Sequence, residues 1–322
     1  MNKLKKTEPY EYYWKFAVER QNIFFNRINH VNSQYFTKDT ILQEYKFTNA
    51  YRASDRVSQF LIKNVIYKDI GYSNEDILFR ILLFKLFNKI ETWQYLESQL
   101  NDIRYDSFTY KQYNQLLDNY MKKGNVVYSN AYMMPSAVKF GQQRKHANHL
   151  LLLEYMMKDN LTEKVLHINS LQDLYLLLLS YPSFGKFLAF QYAIDINYSN
   201  LTNFSENDFI VAGPGAIDGI SKCFSNYKDF SSEYIIKYMT ERQDEEFQKY
   251  DLNFKSLWGR NLHLIDCQNL FCEISKYTRV ALPHIEGKAK RTRIKQKFKQ
   301  NHTPIEFFYP PKWNINQYIK GN

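Results

Sequence analysis

Pro182 to Ala189 reads P-S-F-G-K-F-L-A, between a leucine-rich stretch and an apolar one. A helix that stops at such a break and restarts at once leaves the first N–H groups of the second helix unpaired. Those donors, with the positive end of the helix dipole, suit a phosphate and read no base sequence. Ser183 and Gly185 lie in the bend. Gly185 allows close backbone approach, and Lys186 adds charge. The same eight residues also suit an ordinary joint between packed helices. Gly213, Gly215 and Gly219, grouped with Lys222, could form a second phosphate nest or shape the entrance of a pocket. Asp266 and Glu273 stand seven residues apart on one helical face. They could line a pocket, or pair with Arg260 and Lys276. Gln191 and Asp195 share a face after the bend and could face a pocket or anchor the turn. His146 and His149 are neighbours without an evident third ligand, and the glycine spacing fails the G-x-G-x-x-G rule. No metal or other cofactor is therefore called for.

These residues need a scaffold, and the pattern around them is helical. The chain has 322 residues with 44% hydrophobic and 17% aromatic side chains, too apolar for a disordered chain. Gly (10) and Pro (8) are too scarce for the many turns of an all-β fold. Apolar residues recur at helical spacing over 12–27, 55–67, 110–123, 136–158, 233–250 and 262–278. Ser73 to Asp76 is a cap-and-acid cluster opening one long buried helix from Ile77 to about Leu100. Three cysteines exclude a four-thiolate zinc or iron–sulfur site within the chain. The N-terminus lacks the apolar core of a signal peptide, and the longest apolar runs are too short for a bilayer. The expectation is a cytoplasmic protein with no membrane and no obligate protein partner. A net charge of +10 favours a polyanion. Lys288–Lys299, with seven Lys or Arg and no acid, reads as a basic helix or tail for a DNA backbone, or as a solvated charged face.

Two resemblances sharpen these readings. The bend at Pro182–Gly185 resembles the hairpin of helix-hairpin-helix DNA glycosylases, with Ser183 where that superfamily usually has its first glycine. Leu82–Thr92 and Leu262–Cys272 resemble its early buried helix and its late helix, without the iron–sulfur loop. The stretches W14-K-F16, E19-R-Q21, K46-F-T-N-A-Y-R52, D55-R-V-S-Q59, F209-I-V-A-G-P-G-A-I-D-G-I220 and D266-C-Q-N-L-F-C-E273 resemble the alpha-glutamyl/putrescinyl thymine pyrophosphorylase family. That family is glycosylase-like and occurs in phages and bacteria.

The resemblance implies an all-α, two-lobed helix-hairpin-helix fold without an iron–sulfur cluster. One lobe is expected over 1–72 plus 201–287, the second over 73–200, and a basic extension over 288–322. The superfamily's catalytic aspartate maps to Asp208, which would stabilise an oxocarbenium sugar, with Asp266 as runner-up. The Schiff-base lysine position falls on Phe187, which implies a monofunctional enzyme. An extruded base would meet Asn49, Tyr51 and Arg52, Asn88 and Thr92, the stretch Ser129, Asn130, Ala131 and Tyr132, Gln191, Asn269 and Glu273. Any one of these could equally be core. The implied partner is double-stranded DNA with modified bases. The implied reaction is excision of a hydroxymethylated, glycosylated pyrimidine in anti-phage defence. Two alternatives stand beside it: a hypermodification transferase displacing pyrophosphate from an activated thymine or hydroxymethyluracil with an amine, and a non-enzymatic reader of modified DNA.

Overall fold

The computed structural model describes residues 3–29, 36–68, 71–130, 134–301 and 303–319. Among these residues the protein is all-α, with fourteen α-helices and isolated bridges in place of strands. It divides into two compact units, Met1–Asp55 with Phe209–Ile305, and Arg56–Asp208 with Glu306–Asn322. Unit 1 begins with α1 (Glu8–Ile28) and α2 (Thr40–Glu44). The chain then builds unit 2 from α3 (Arg56–Phe60), α4 (Asn74–Phe87), α5 (Ile90–Leu100), α6 (Tyr110–Lys122), α7 (Lys145–Lys158), α8 (Leu161–Leu166), α9 (Leu171–Leu179) and α10 (Lys186–Asn197). It returns to unit 1 with α11 (Pro214–Cys223), α12 (Ser232–Glu241), α13 (Gln243–Lys249) and α14 (Leu264–Ala281).

Unit 1 is organised on α14. Aromatics of α1 bury against it, with the Tyr13 and Phe271 rings 4.7 Å apart and the Tyr13 hydroxyl donating to the Cys267 carbonyl. On its other side α11 approaches so closely that a Cβ on Gly219 would lie 2.0 Å from the Phe271 carbonyl oxygen. Gly215 faces Cys272 in the same way, at 3.0 Å from its sulfur. These glycines therefore serve helix contact, the one use that needs no side chain at all.

Unit 2 is organised on α4, which is buried nearly all round. Ser73 and Asp76 form a reciprocal capping box at its start. Arg80 is fully buried, yet its guanidinium donates to the carbonyls of Asn64, Val65 and Ile103 and stacks on Tyr72 and Trp93. The single helix expected over 77–100 is two helices. Asn88 adopts a left-handed conformation (φ 49°) that ends α4, and α5 starts two residues later. Asparagine tolerates that conformation better than most residues, and periodicity alone gives no sign of it. Glu233–Tyr250 also divides, at Arg242, into α12 and α13. Lys288–Lys299 is not helical.

Candidate functional site

In unit 1 the segment Lys46–Asp55 lies on α14, and six of the expected site residues meet there. Glu273 accepts from the Thr48 N–H (3.0 Å) and from Lys276 (2.6 Å). The Asn269 amide donates to the Thr48 hydroxyl and to the Asn49 carbonyl (2.9 Å). Asn49 accepts from Arg20, and its backbone N–H donates to Asp55 (2.8 Å). Asp266 accepts from the Arg52 N–H (2.9 Å) and, as the N3 residue of α14, from the His263 N–H (3.1 Å). The nearby Tyr51 hydroxyl donates to the Arg260 carbonyl (2.6 Å) and accepts from the Leu257 N–H. Burial pushes Asp55 up to about 7, partly offset by the Asn49 N–H, and pulls Arg20 down to about 10. Burial also lowers His263 to about 3. Each of these groups has a partner inside the unit, so the arrangement fixes a segment on a helix. Arg20, Thr48 and Asp55 complete it. They sit inside the stretches singled out by sequence, but nothing in their spacing marks them as partners of Asn49.

The glycine-rich segment is likewise committed. The Gly213 N–H donates to Gln268, which leaves that amide unavailable to an anion. Lys222 is buried, and its ammonium donates to the Ser275 carbonyl and the Thr278 hydroxyl (3.1 Å each).

Unit 2 holds an open pocket of about 430 Å3 beside the α4–α5 joint. Arg56, Asn88, Lys89, Glu91, Tyr128, Ser129 and Asn130 line it, with Val57, Ile90 and Val126. It follows from the turn at Asn88. The Asn88 amide donates to the Ser129 hydroxyl (3.3 Å) and its oxygen accepts from Lys85 (3.2 Å). Thr92 donates to the Val127 carbonyl (2.7 Å) and so ties the pocket wall to α5. Lys85 in turn pairs with Asp195 of α10 at 2.8 Å, both almost wholly buried. Gln191 is buried one turn away. Tyr128 is held from behind by His149. The His149 Nε2 faces the Pro135 carbonyl (2.7 Å), which assigns its proton there and leaves Nδ1 to accept the Tyr128 hydroxyl (3.0 Å). Burial pulls His149 down to about 4, so it stays neutral. Among the described residues no group of three or more His, Cys, Asp or Glu is placed to hold a metal. The pocket thus offers amides, a hydroxyl, an aromatic ring, two cations and the Glu91 carboxylate, with Lys89 also donating to the Val126 carbonyl, a set that suits a polar planar ligand. Sequence reasoning singled out Asn88, Thr92, Ser129 and Asn130 but not Arg56, Lys89 or Tyr128. The loop that brings 126–130 to Asn88 is a tertiary event with no local signal. Tyr132 lies outside the described residues.

The bend between α9 and α10 is open to solvent at Gly185 and Lys186. Ser183 takes a positive φ of 70°, and Gly185 is the N-cap of α10 with no capping side chain. Asp208, expected near a helix start, is exposed in a turn whose N–H reaches the Ser205 carbonyl. The next helix begins only at Pro214.

Residues 7–287 match the family model described as the 5-hmdU DNA kinase helical domain, and the chain belongs to that family. A curated relative, the 5-hmdU DNA kinase of Bacillus phage SP10, is 24% identical over 287 residues. Those residues are 83% of this chain and 44% of the relative, so the chain matches less than half of that protein's length. No solved structure matches the chain. The match corrects the resemblance to the thymine pyrophosphorylase family. It equally overturns the expected monofunctional DNA glycosylase and its defence role, because the relatives are named for phosphorylation of a modified nucleotide, not for removal of its base. The motifs that suggested the other family are the ones that bind Lys46–Asp55 to α14 and α11 to α14. Such packing contacts specify a helical scaffold and leave the reaction open. Among the described residues no helix is long and apolar enough to cross a membrane.

Proposed function

We propose that this chain supplies the DNA-binding, base-recognising part of a kinase acting on 5-hydroxymethyl-2′-deoxyuridine (5-hmdU) in DNA, within base hypermodification. The single observation carrying this reading is the family match over residues 7–287. A kinase that phosphorylates a base substituent inside DNA must bring that base out of the stack. The pocket beside Asn88 has the chemistry for such a base. The Asn130 amide and the Ser129 hydroxyl, the latter positioned by Asn88, can meet a uracil edge or its hydroxymethyl group, and Arg56 and Lys89 can meet the flanking phosphate. The α9–α10 bend, in the manner of a helix-hairpin-helix, would hold a further phosphate through the amides at the start of α10. The part proposed for this chain is the DNA side of the reaction, and its sequence carries no G-x-x-x-x-G-K-[S/T] phosphate loop.

Equilibrium binding to two otherwise identical duplexes, one with 5-hmdU and one with thymine, tests the reading. Tighter binding of the 5-hmdU duplex is expected. Equal affinity for the two at every salt concentration would contradict it.

A further inference from the structure

Residues 288–299 lie beyond the family match and, as a sequence, read as a basic helix or tail for a DNA backbone or as a solvated charged face. The segment is not a helix. The segment is laid along unit 1 and tied at three places. The Lys288 and Ala289 N–H groups donate to Ser221 (2.8 Å) and Asp218 (2.6 Å). Arg279 donates to the Arg293 carbonyl (3.1 Å). At the far end Lys46 donates to the Gln296 carbonyl and Phe298 to the Glu44 carbonyl, flanking an antiparallel bridge between Tyr45 and Lys297.

The side chains alternate along this strap. Arg291, Arg293, Lys295, Lys297 and Lys299 stand at odd positions, and Thr292, Ile294, Gln296 and Phe298 at even ones. Ile294 is half-buried while every other residue of 288–299 is exposed. A period of two puts alternate side chains of an extended chain on one face. Residues two apart on such a face are separated by roughly 6.6 Å. That is of the order of the through-space distance between successive phosphates of one DNA strand. Among the described residues Lys297 alone of the five has an acidic partner, Glu44. A charged segment already fixed at three points also loses less freedom on binding than a loose tail would.

We infer that the strap at 291–299 is a comb of cations that tracks the phosphates of one DNA strand, blind to base sequence. The inference rests on the DNA-binding reading above and adds to it a second site with a different chemistry. The test uses the full chain and a plain thymine duplex, with affinity followed against salt. The variant Arg291→Gln, Arg293→Gln, Lys295→Gln, Lys299→Gln should flatten the slope of log K against log salt by about 3–4, near 0.9 per lost phosphate contact. A second variant keeps the net charge and moves two cations to the other face: Thr292→Arg with Arg293→Thr, and Lys295→Gln with Gln296→Lys. It should flatten the slope by about half as much. Thermal melting checks that both variants fold, as exposed positions should allow. Neutralising the exposed Lys122 and Lys123 of unit 2 is the control. An unchanged slope in the fourfold variant would overturn the strap and leave the DNA reading intact. A charge-preserving variant that binds like the original, or a control that loses as much per charge, would reduce the strap to net charge and overturn its geometry. Absence of any DNA binding by the original chain would overturn both proposals. Loss of binding to anionic phosphatidylserine vesicles, with DNA affinity unchanged, would assign the strap to a membrane surface and overturn it as a DNA site.

Discussion

The cluster on α14 and the pocket beside Asn88 draw on the same side-chain types: amides, hydroxyls, cations and a carboxylate. In the cluster, Asn49, Asn269, Asp266 and Glu273 bond to backbone and side chains of unit 1. In the pocket, Ser129 and Asn130 line open space of about 430 Å3. Polarity therefore does not distinguish a binding surface from an internal fastening. What distinguishes them is whether the geometry leaves room for a ligand beside the polar atoms. The buried Lys85–Asp195 pair belongs to both kinds, since it is wholly internal yet holds Asn88 at the pocket wall.

Substitutions can break this contrast at both ends. The largest effect is expected at the buried pair. Asp195→Ala should destabilise unit 2 by about 3–5 kcal/mol, because it strands a buried ammonium. The double variant Lys85→Met, Asp195→Leu should recover most of that loss in denaturant melts. Next comes Gly219→Ala, whose methyl would meet the Phe271 carbonyl oxygen at 2.0 Å. Overpacking there should cost about 3 kcal/mol in unit 1. Within the cluster, Asn269→Ala should cost about 1–2 kcal/mol by leaving the Asn49 carbonyl without its donor. If Asn269→Ala leaves stability unchanged but weakens DNA binding, the cluster is a binding surface and the contrast fails.

The pH dependence gives a subtler test. Asp55 is raised to about 7, so between roughly pH 4 and 7 the unfolded chain has lost a proton that the folded chain keeps. Stability from this group therefore falls as pH rises through that window. His149 works the other way. Its folded value of about 4 lies below the unfolded one, so its contribution is present above about 6.5 and lost as pH falls toward 4. Asp55→Asn should remove the first slope and His149→Gln the second, read from denaturant midpoints across pH. The smallest stability effect belongs to the exposed Asn130. Asn130→Ala should change stability by less than about 0.5 kcal/mol, while lowering the preference for 5-hmdU over thymine.

The all-α class was legible because helical periodicity and scarce Gly and Pro are local facts. The start of α4 was legible for the same reason, since Ser73 and Asp76 are three residues apart. The break at Asn88 was not, because one left-handed residue leaves the apolar pattern intact. The motif residues around Asn49 and Glu273 read as candidates for contact with an extruded base. Their contacts, though, are with one another, and sequence spacing holds no information on whether a ligand has room. Gly215 and Gly219 read as a phosphate nest because glycine serves close approach of any backbone, and here the backbone is α14. The family was not legible from these motifs, and the match over residues 7–287 is what corrects it.

On the proposed function, the pocket of unit 2 receives a 5-hmdU base drawn from the duplex. Fluorescence of 2-aminopurine placed beside 5-hmdU measures this directly, since the probe brightens when its neighbour leaves the stack. The account predicts a rise on protein binding that is absent from the thymine duplex and lost in the double variant Ser129→Ala, Asn130→Ala. An equal rise with thymine, or a rise that survives the double variant, would contradict it.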